Sequence, residues 1–223
     1  MKSPPSDSAP IFELTHPRTG YSPGDFVGAT KKAPKVLIAS IPRCGSTLLF
    51  RALSGNPPGK NFPKKCRRCQ FLPTLDRIPA APFLKTHAPA PEELPEDVRV
   101  IFLFGDPVAA VWSTWKKRFN EGHFRHCGFT GEGRPDILDR DDLGYEANFD
   151  SWMRPHPFPV LAVRFEKLWT YTPMIEEFIG RPIHLPPLRQ RTTEIPDEER
   201  ARLERTYSSL VAKVRAAPDL AVW

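Results

Sequence analysis

Apolar residues in this chain form two patterns, short unbroken runs and stripes at helical spacing. The runs predict four strands, at residues 35–41, 83–86, 99–104 and 159–165. The stripes predict four helices, over residues 45–54, from Pro107 onward, over 166–179 with Gly180 as the C-cap, and over 197–216. The run RVIFLF at 99–104 has no polar break after Arg99, which is typical of a strand buried on both faces.

The stretches between these elements are rich in proline, of which the chain has 27. Their composition predicts an irregular N-terminal arm and three irregular connections, the second with one short helix. The arm covers residues 1–34, and the connections cover 56–82, 120–157 and 181–195. Residues 35–223 are then left as a single domain of ordinary size.

Strand and helix alternate through that domain. The alternation favours an α/β fold with a mainly parallel central sheet flanked by helices. Ligands of such folds bind at the carboxyl ends of the strands. Arg43, His87 and Asp106 each follow a predicted strand closely, so we expect one cleft to collect them.

Charge and composition narrow the classes of partner. The net charge of +6 favours an anionic ligand or surface. Nucleic acid is a weaker interpretation, because its main support is one basic stretch with no recognition fold around it, Lys64, Lys65, Arg67 and Arg68. No apolar stretch reaches the ~20 residues that a membrane span needs. The segment MKSPPSDSAP lacks the apolar core of a signal peptide, so a cytoplasmic location is expected.

The most informative segment is VLIASIPRCGSTLLFRAL, which begins at Val36. A strand runs into a tight turn at Pro42–Gly45, and a helix then starts with Ser46 and Thr47. Backbone amides and the partial positive charge of a helix N-terminus make such a turn a phosphate-binding site. The nucleotide triphosphatase signature GxxxxGK[ST] is not matched, since a serine stands in place of its lysine. ATP hydrolysis is therefore disfavoured, and a kinase is a lesser possibility.

Four blocks in this order resemble the sulfotransferases that use 3′-phosphoadenosine-5′-phosphosulfate (PAPS). SIPRCGSTLL is similar to their phosphosulfate-binding loop, and PFLKTHAPAPEELP to the segment with the catalytic Lys-Thr-His. VRVIFLFGDPVAAVWSTWKK is similar to the segment that binds the 3′-phosphate, and VLAVRFEKLWTYTPMIEEFIG to the strand and helix that follow. The resemblance implies a P-loop sulfotransferase-like three-layer sandwich, with PAPS as co-substrate and no requirement for a metal.

The resemblance also implies roles for individual residues. Amides of the loop would hold the 5′-phosphosulfate, and the loop consists of Arg43, Cys44, Gly45, Ser46 and Thr47. Arg43 would neutralise charge on the leaving oxygen, and Lys85 would place the sulfuryl oxygens. His87 would be the general base on a hydroxyl or amine acceptor. Ser113 would bind the 3′-phosphate.

One position departs from the family pattern. Gly105 stands where an arginine usually grips the 3′-phosphate, two residues before Pro107. Arg189 and Arg191 are our candidates to replace it, with Lys116 and Lys117 behind them. The alternative is a non-catalytic phosphonucleotide-binding homologue. The acceptor class stays open between a small molecule and an acidic carbohydrate or protein, and so does the oligomeric state.

The four cysteines predict no disulfide framework, so we expect reduced thiols. Cys44 is interpreted as an inert loop residue. Cys66 and Cys69 have the spacing that can begin a zinc site, which His123, His126 and Cys127 could complete. Their spacing matches no standard zinc motif, and a basic loop that steers an anionic acceptor is the preferred interpretation.

Overall fold

The computed structural model describes residues 33–55, 69–117, 119–188 and 194–223. The predicted arm, apart from its last two residues, therefore lies outside the described residues. So do Cys66, its basic neighbours, Arg189 and Arg191.

The described residues form an α/β fold around a six-stranded sheet with the order β2-β3-β1-β4-β5-β6. The strands are β1 Lys35–Ser40, β2 Cys69–Leu72, β3 Phe83–Thr86, β4 Val98–Phe104, β5 Val160–Arg164 and β6 Leu220–Val222. The first five are parallel, and β6 runs antiparallel to β5. The predicted mainly parallel sheet is thus confirmed.

Helices cover both faces of the sheet. They are α1 Ser46–Ser54, α2 Pro107–Lys116, α3 Glu121–His126, α4 Tyr145–Trp152, α5 Thr172–Ile179, α6 Asp197–Thr206 and α7 Ser208–Ala216. Val36 and Ile38 of β1 pack in a core cluster with α1 and α5. Leu37 and Ala39 pack in a second cluster with α2, α4, α6 and α7. Alternate residues of one strand face opposite layers, as the period of two requires.

Four expectations about single elements were wrong. The connection at 56–82 contains β2, which pairs with β3 from Cys69 to Leu72. Residues 120–157 hold two helices, α3 and α4, instead of one. The helix expected over 166–179 starts as a 3₁₀ turn at Phe165–Lys167, and α5 begins only at Thr172. The long C-terminal helix is interrupted at Tyr207, whose buried hydroxyl donates to the carbonyl of Ile137 at 3.1 Å.

The strand β6 was not predicted at all, because three residues after a Pro-Asp pair give little periodicity. Gly180 does cap α5, in the left-handed region at φ 66°. No helix in the described ranges is long and apolar enough to cross a membrane.

Candidate functional site

The turn after β1 has an unusual backbone. Arg43 lies at φ 69° and Gly45 at φ 80°, so two residues of the turn occupy the left-handed region. That conformation is costly for arginine, and strained residues of this kind concentrate at ligand sites. Gly45 is the N-cap of α1 and has no side chain to satisfy the first amides. The amide of Leu48 already donates to the Gly45 carbonyl at 2.9 Å, so the amides of Ser46 and Thr47 are the ones that a helix N-terminus offers to an anion.

Gly45 is required for a second reason. A Cβ built on Gly45 would lie 2.1 Å from Cδ2 of Phe165, which is far inside van der Waals contact. Phe165 follows β5 directly, so the turn after β1 is packed against the turn after β5. The glycine thus fixes the position of the loop relative to the sheet.

His87 comes directly after β3 and is almost fully buried. Its Nδ1 lies 2.8 Å from the backbone carbonyl oxygen of Ser40, the last residue of β1. A carbonyl only accepts hydrogen bonds, so Nδ1 carries the proton and Nε2 presents its lone pair. Burial holds the pKa of His87 well below 6.5, and the charge of Lys85 acts in the same direction. The imidazole is therefore neutral at physiological pH.

Lys85 points at the same imidazole. Its Nζ lies 3.3 Å from Nε2 of His87, and the ammonium also sits over the ring of Phe71 at 5.0 Å. Burial lowers the pKa of Lys85 from 10.5 to about 8. Near neutral pH the amine is still mostly charged and donates to Nε2.

Arg43 is held from α2. Its Nε donates to Oγ of Ser113 at 3.0 Å, and the guanidinium lies 5.8 Å from the ring centre of Phe119. Asp106 caps α2 by accepting from the amides of Val108 and Ala109. The helix that carries Ser113 therefore starts at a defined point beside the cleft.

These side chains meet in one cavity of about 380 Å³. Of the residues predicted for the site, the cavity lining includes Arg43, Gly45, Ser46, Thr47, Lys85, His87 and Ser113. Cys44 is fully buried in the core, so its side chain is turned away from the cavity. Among the described lining residues none is acidic, so the cavity concentrates positive charge.

Sequence reasoning did not assign His123 to this cavity. Its ring stacks on Phe119 at 3.6 Å between centroids, and the side chain lines the cavity. Burial, with the charge of Lys85, lowers the pKa of His123 to about 4, so it adds a second neutral imidazole. The residue in the sequence that could have indicated this is Asn120, because asparagine is a preferred N-cap. Its side chain accepts from the amide of His123 and so fixes the backbone of His123 at the start of α3.

The zinc hypothesis gains no ligands from the described residues, where no three His, Cys, Asp or Glu side chains converge. Cys127 is buried, and burial raises the pKa of its thiol to about 11.

Comparison with the known family models gives no match, and no curated protein matches the chain either.

Proposed function

We propose that this protein is a sulfotransferase that moves a sulfuryl group from PAPS to a hydroxyl or amine acceptor. One observation carries the proposal. A strained strand-to-helix turn at the N-terminus of α1 lies in the same cavity as the cations of Arg43 and Lys85 and a neutral, buried histidine whose Nε2 carries no proton. These are the groups that sulfuryl transfer needs, since positioned cations and amides stabilise charge on the peripheral oxygens.

The loop residues Arg43 to Thr47 would hold the 5′-phosphosulfate. PAPS supplies an activated sulfur whose bond to the phosphate oxygen breaks, so that adenosine-3′,5′-bisphosphate leaves with the electron pair. The acceptor oxygen or nitrogen forms the new bond to sulfur. Arg43 would neutralise the negative charge on the departing oxygen.

His87 would take the proton of the acceptor on Nε2. Because Nδ1 is tied to the Ser40 carbonyl, only Nε2 is available. Nζ of Lys85 lies 3.3 Å from that nitrogen. A sulfuryl group in the cavity would compete with Nε2 for the ammonium of Lys85. When the ammonium donates to the sulfuryl oxygens, Nε2 becomes accessible to the acceptor.

The 3′-phosphate needs a partner other than residue 105. The carboxylate of Glu166 would lie 3.0 Å from a Cβ at Gly105, so this space is already flanked by an acid. Ser113 remains in the cavity, and Arg189 and Arg191 remain our candidates. The described residues that follow them support this choice, since Ile195 lines the cavity and the carbonyl of Glu194 accepts from Trp112 at 3.2 Å.

Calorimetry with adenosine-3′,5′-bisphosphate against ADP tests the donor class. We expect the bisphosphate to bind at least about tenfold tighter, since ADP has no 3′-phosphate. Arg189→Ala combined with Arg191→Ala should remove most of this preference, with Arg154→Ala as an exposed control. Equal affinity for the two nucleotides would overturn the proposal.

The second candidate is a non-catalytic phosphonucleotide-binding homologue, which Gly105 favours. Turnover of PAPS with a panel of phenols, alcohols and amines separates the two. An enzyme should transfer sulfate to at least one acceptor and lose that activity in His87→Gln. A binding homologue retains nucleotide affinity and transfers nothing.

A further inference from the structure

Side chains from one turn of α4 form hydrogen bonds with the backbone that follows β3. Nδ2 of Asn148 donates to the carbonyl of His87 at 2.7 Å, and Nε1 of Trp152 donates to the carbonyl of Ala88 at 3.1 Å. Oγ of Ser151 accepts from the amide of Ala90 at 3.0 Å. Three side chains of one helix thus bind three residues of one short segment, defined here as the histidine segment, residues 87–90.

The helix α4 is itself firmly attached. The hydroxyl groups of Tyr145 and Thr114 lie 2.7 Å apart in the core, which ties α4 to α2. On its outer side Lys213 of α7 forms ion pairs with Glu146 and Asp150. Because α4 is attached to both α2 and α7, its hydrogen bonds connect the histidine segment to the core of the protein.

The orientation of Asn148 is fixed by chemistry. The carbonyl of His87 only accepts, so the amide NH₂ of Asn148 faces it. The other amide atom, Oδ1, is buried and finds no hydrogen-bond partner among the described residues. A buried polar atom without a partner is costly, and the contact that retains this side chain is the one to His87.

His87 is consequently held at two points. Ser40 holds the ring through Nδ1, and Asn148 holds the backbone carbonyl one residue beyond β3. Two fixed points define where Nε2 lies relative to the cavity. Lys85, Arg43 and His123 are the charged or titratable neighbours that act on the ring from that side.

We propose that Asn148 and Trp152 are positioning residues, which hold the histidine segment so that Nε2 of His87 faces the cavity as a single neutral tautomer. This inference rests on the proposed function for its catalytic consequence, but the tautomer itself is measurable without any substrate. Neither residue touches the reacting atoms, and both act through His87.

Nitrogen NMR of the histidine side chains in the full chain tests the proposal. In the wild type we expect His87 to carry its proton on Nδ1 and to remain neutral between about pH 6 and 8. In Asn148→Leu the freed carbonyl allows the segment to move, so both tautomers should be populated and the titration midpoint should rise toward ~6.5. Trp152→Phe, which removes only the second bond, should show a smaller change in the same direction.

Trp169→Phe is the matched control, because the indole of Trp169 also donates to a backbone carbonyl, that of Pro186 at 2.8 Å. It should leave the His87 signals unchanged. With PAPS and an active acceptor, Asn148→Leu should lower kcat about 10- to 100-fold. Affinity for adenosine-3′,5′-bisphosphate should change by less than about twofold, since the loop is untouched.

An unchanged tautomer and titration of His87 in both test variants would overturn the inference. Should Asn148→Leu fail to fold, Trp152→Phe alone decides. A changed tautomer in a protein that does not bind the bisphosphate would leave the positioning role standing and would count against the proposed function.

Discussion

At the scale of single residues, the proposed site contains groups whose placement is unfavourable for folding. Arg43 has a left-handed backbone, and Lys85 keeps its ammonium in a largely buried place. The positive charge of Arg43 also lowers the pKa of Lys85, because like charges repel each other. If the proposed function is right, both cations attract the anionic ligand, and this attraction offsets the unfavourable contributions.

The substitution Lys85→Met should stabilise the folded protein at neutral pH. The pKa of Lys85 falls from 10.5 to about 8 on folding, which corresponds to roughly 3 kcal/mol against the charged form. Allowing for the lost hydrogen bond to His87, we expect the free energy of unfolding to rise by about 1–3 kcal/mol in urea denaturation. Sulfuryl transfer should be lost in the same variant.

The pH dependence of that gain has a definite sign. Below pH 8 the lysine is charged in both states, so the full penalty applies to the wild type. Between pH 8 and 10.5 the folded protein releases the proton first, and the penalty fades. The two proteins should therefore converge in stability above about pH 10. A constant difference across this range would contradict the account.

Gly45→Ala should abolish binding of adenosine-3′,5′-bisphosphate. The new methyl group meets Phe165 at 2.1 Å and strains a backbone at φ 80°. Strain and overpacking together should lower the free energy of unfolding by about 2–5 kcal/mol. Gly55→Ala is the matched control, since Gly55 lies at φ 70° with nothing within 4 Å of its Cβ. Equal losses in the two variants would show that the backbone conformation, and not the contact with Phe165, decides.

At the scale of elements, the sequence predicted the features that are encoded in neighbouring residues and missed those that depend on contacts between distant residues. The unit of β1, turn and α1 is encoded in consecutive residues, and so is the Pro107 start of α2. The break at Tyr207 is not, because it depends on a carbonyl of residue 137 that only the folded chain brings near. His123 and Asn148 were missed for the same reason, since each acts on the site through a helix whose placement is set by distant contacts.

Asp106→Ala tests whether the cap of α2 supports the site. The side chain accepts from two amides of the first turn, so its loss should cost about 1 kcal/mol of unfolding free energy. Asp106→Asn keeps an acceptor and should cost less. Thermal or urea denaturation measures both. Asn120→Ala, which removes the cap of the shorter helix α3, is the comparison. No loss in Asp106→Ala would mean that Pro107 alone is enough to start α2.

At the scale of the whole molecule, the sheet order explains why distant residues meet. β1 lies between β3 and β4, so the segments that follow these three strands emerge side by side at the carboxyl ends of the strands. Arg43, His87 and the start of α2 are each within a few residues of a strand end. This convergence was predictable from strand and helix alternation alone. The edges of the sheet were not, because β2 and β6 are short and give no clear period in the sequence.

The antiparallel edge strand β6 gives the last prediction. Val160 and Trp223 exchange two backbone hydrogen bonds at 3.0 Å, and the register places Ala221 opposite Ala162. Bonded and non-bonded pairs alternate in antiparallel ladders, so the amide of Ala221 faces β5 and that of Val222 faces outward. Ala221→Pro should therefore cost about 3 kcal/mol of unfolding free energy, because it removes a ladder bond.

Val222→Pro places the same residue where no ladder amide is lost, and it should be much better tolerated. Urea denaturation measures both variants, and light scattering against concentration reports whether an exposed β5 edge promotes association. We expect association only in Ala221→Pro, since unpaired strand edges bind other chains. If the two proline variants were equally destabilised, β6 would not be paired in this register, and the sheet would end at β5.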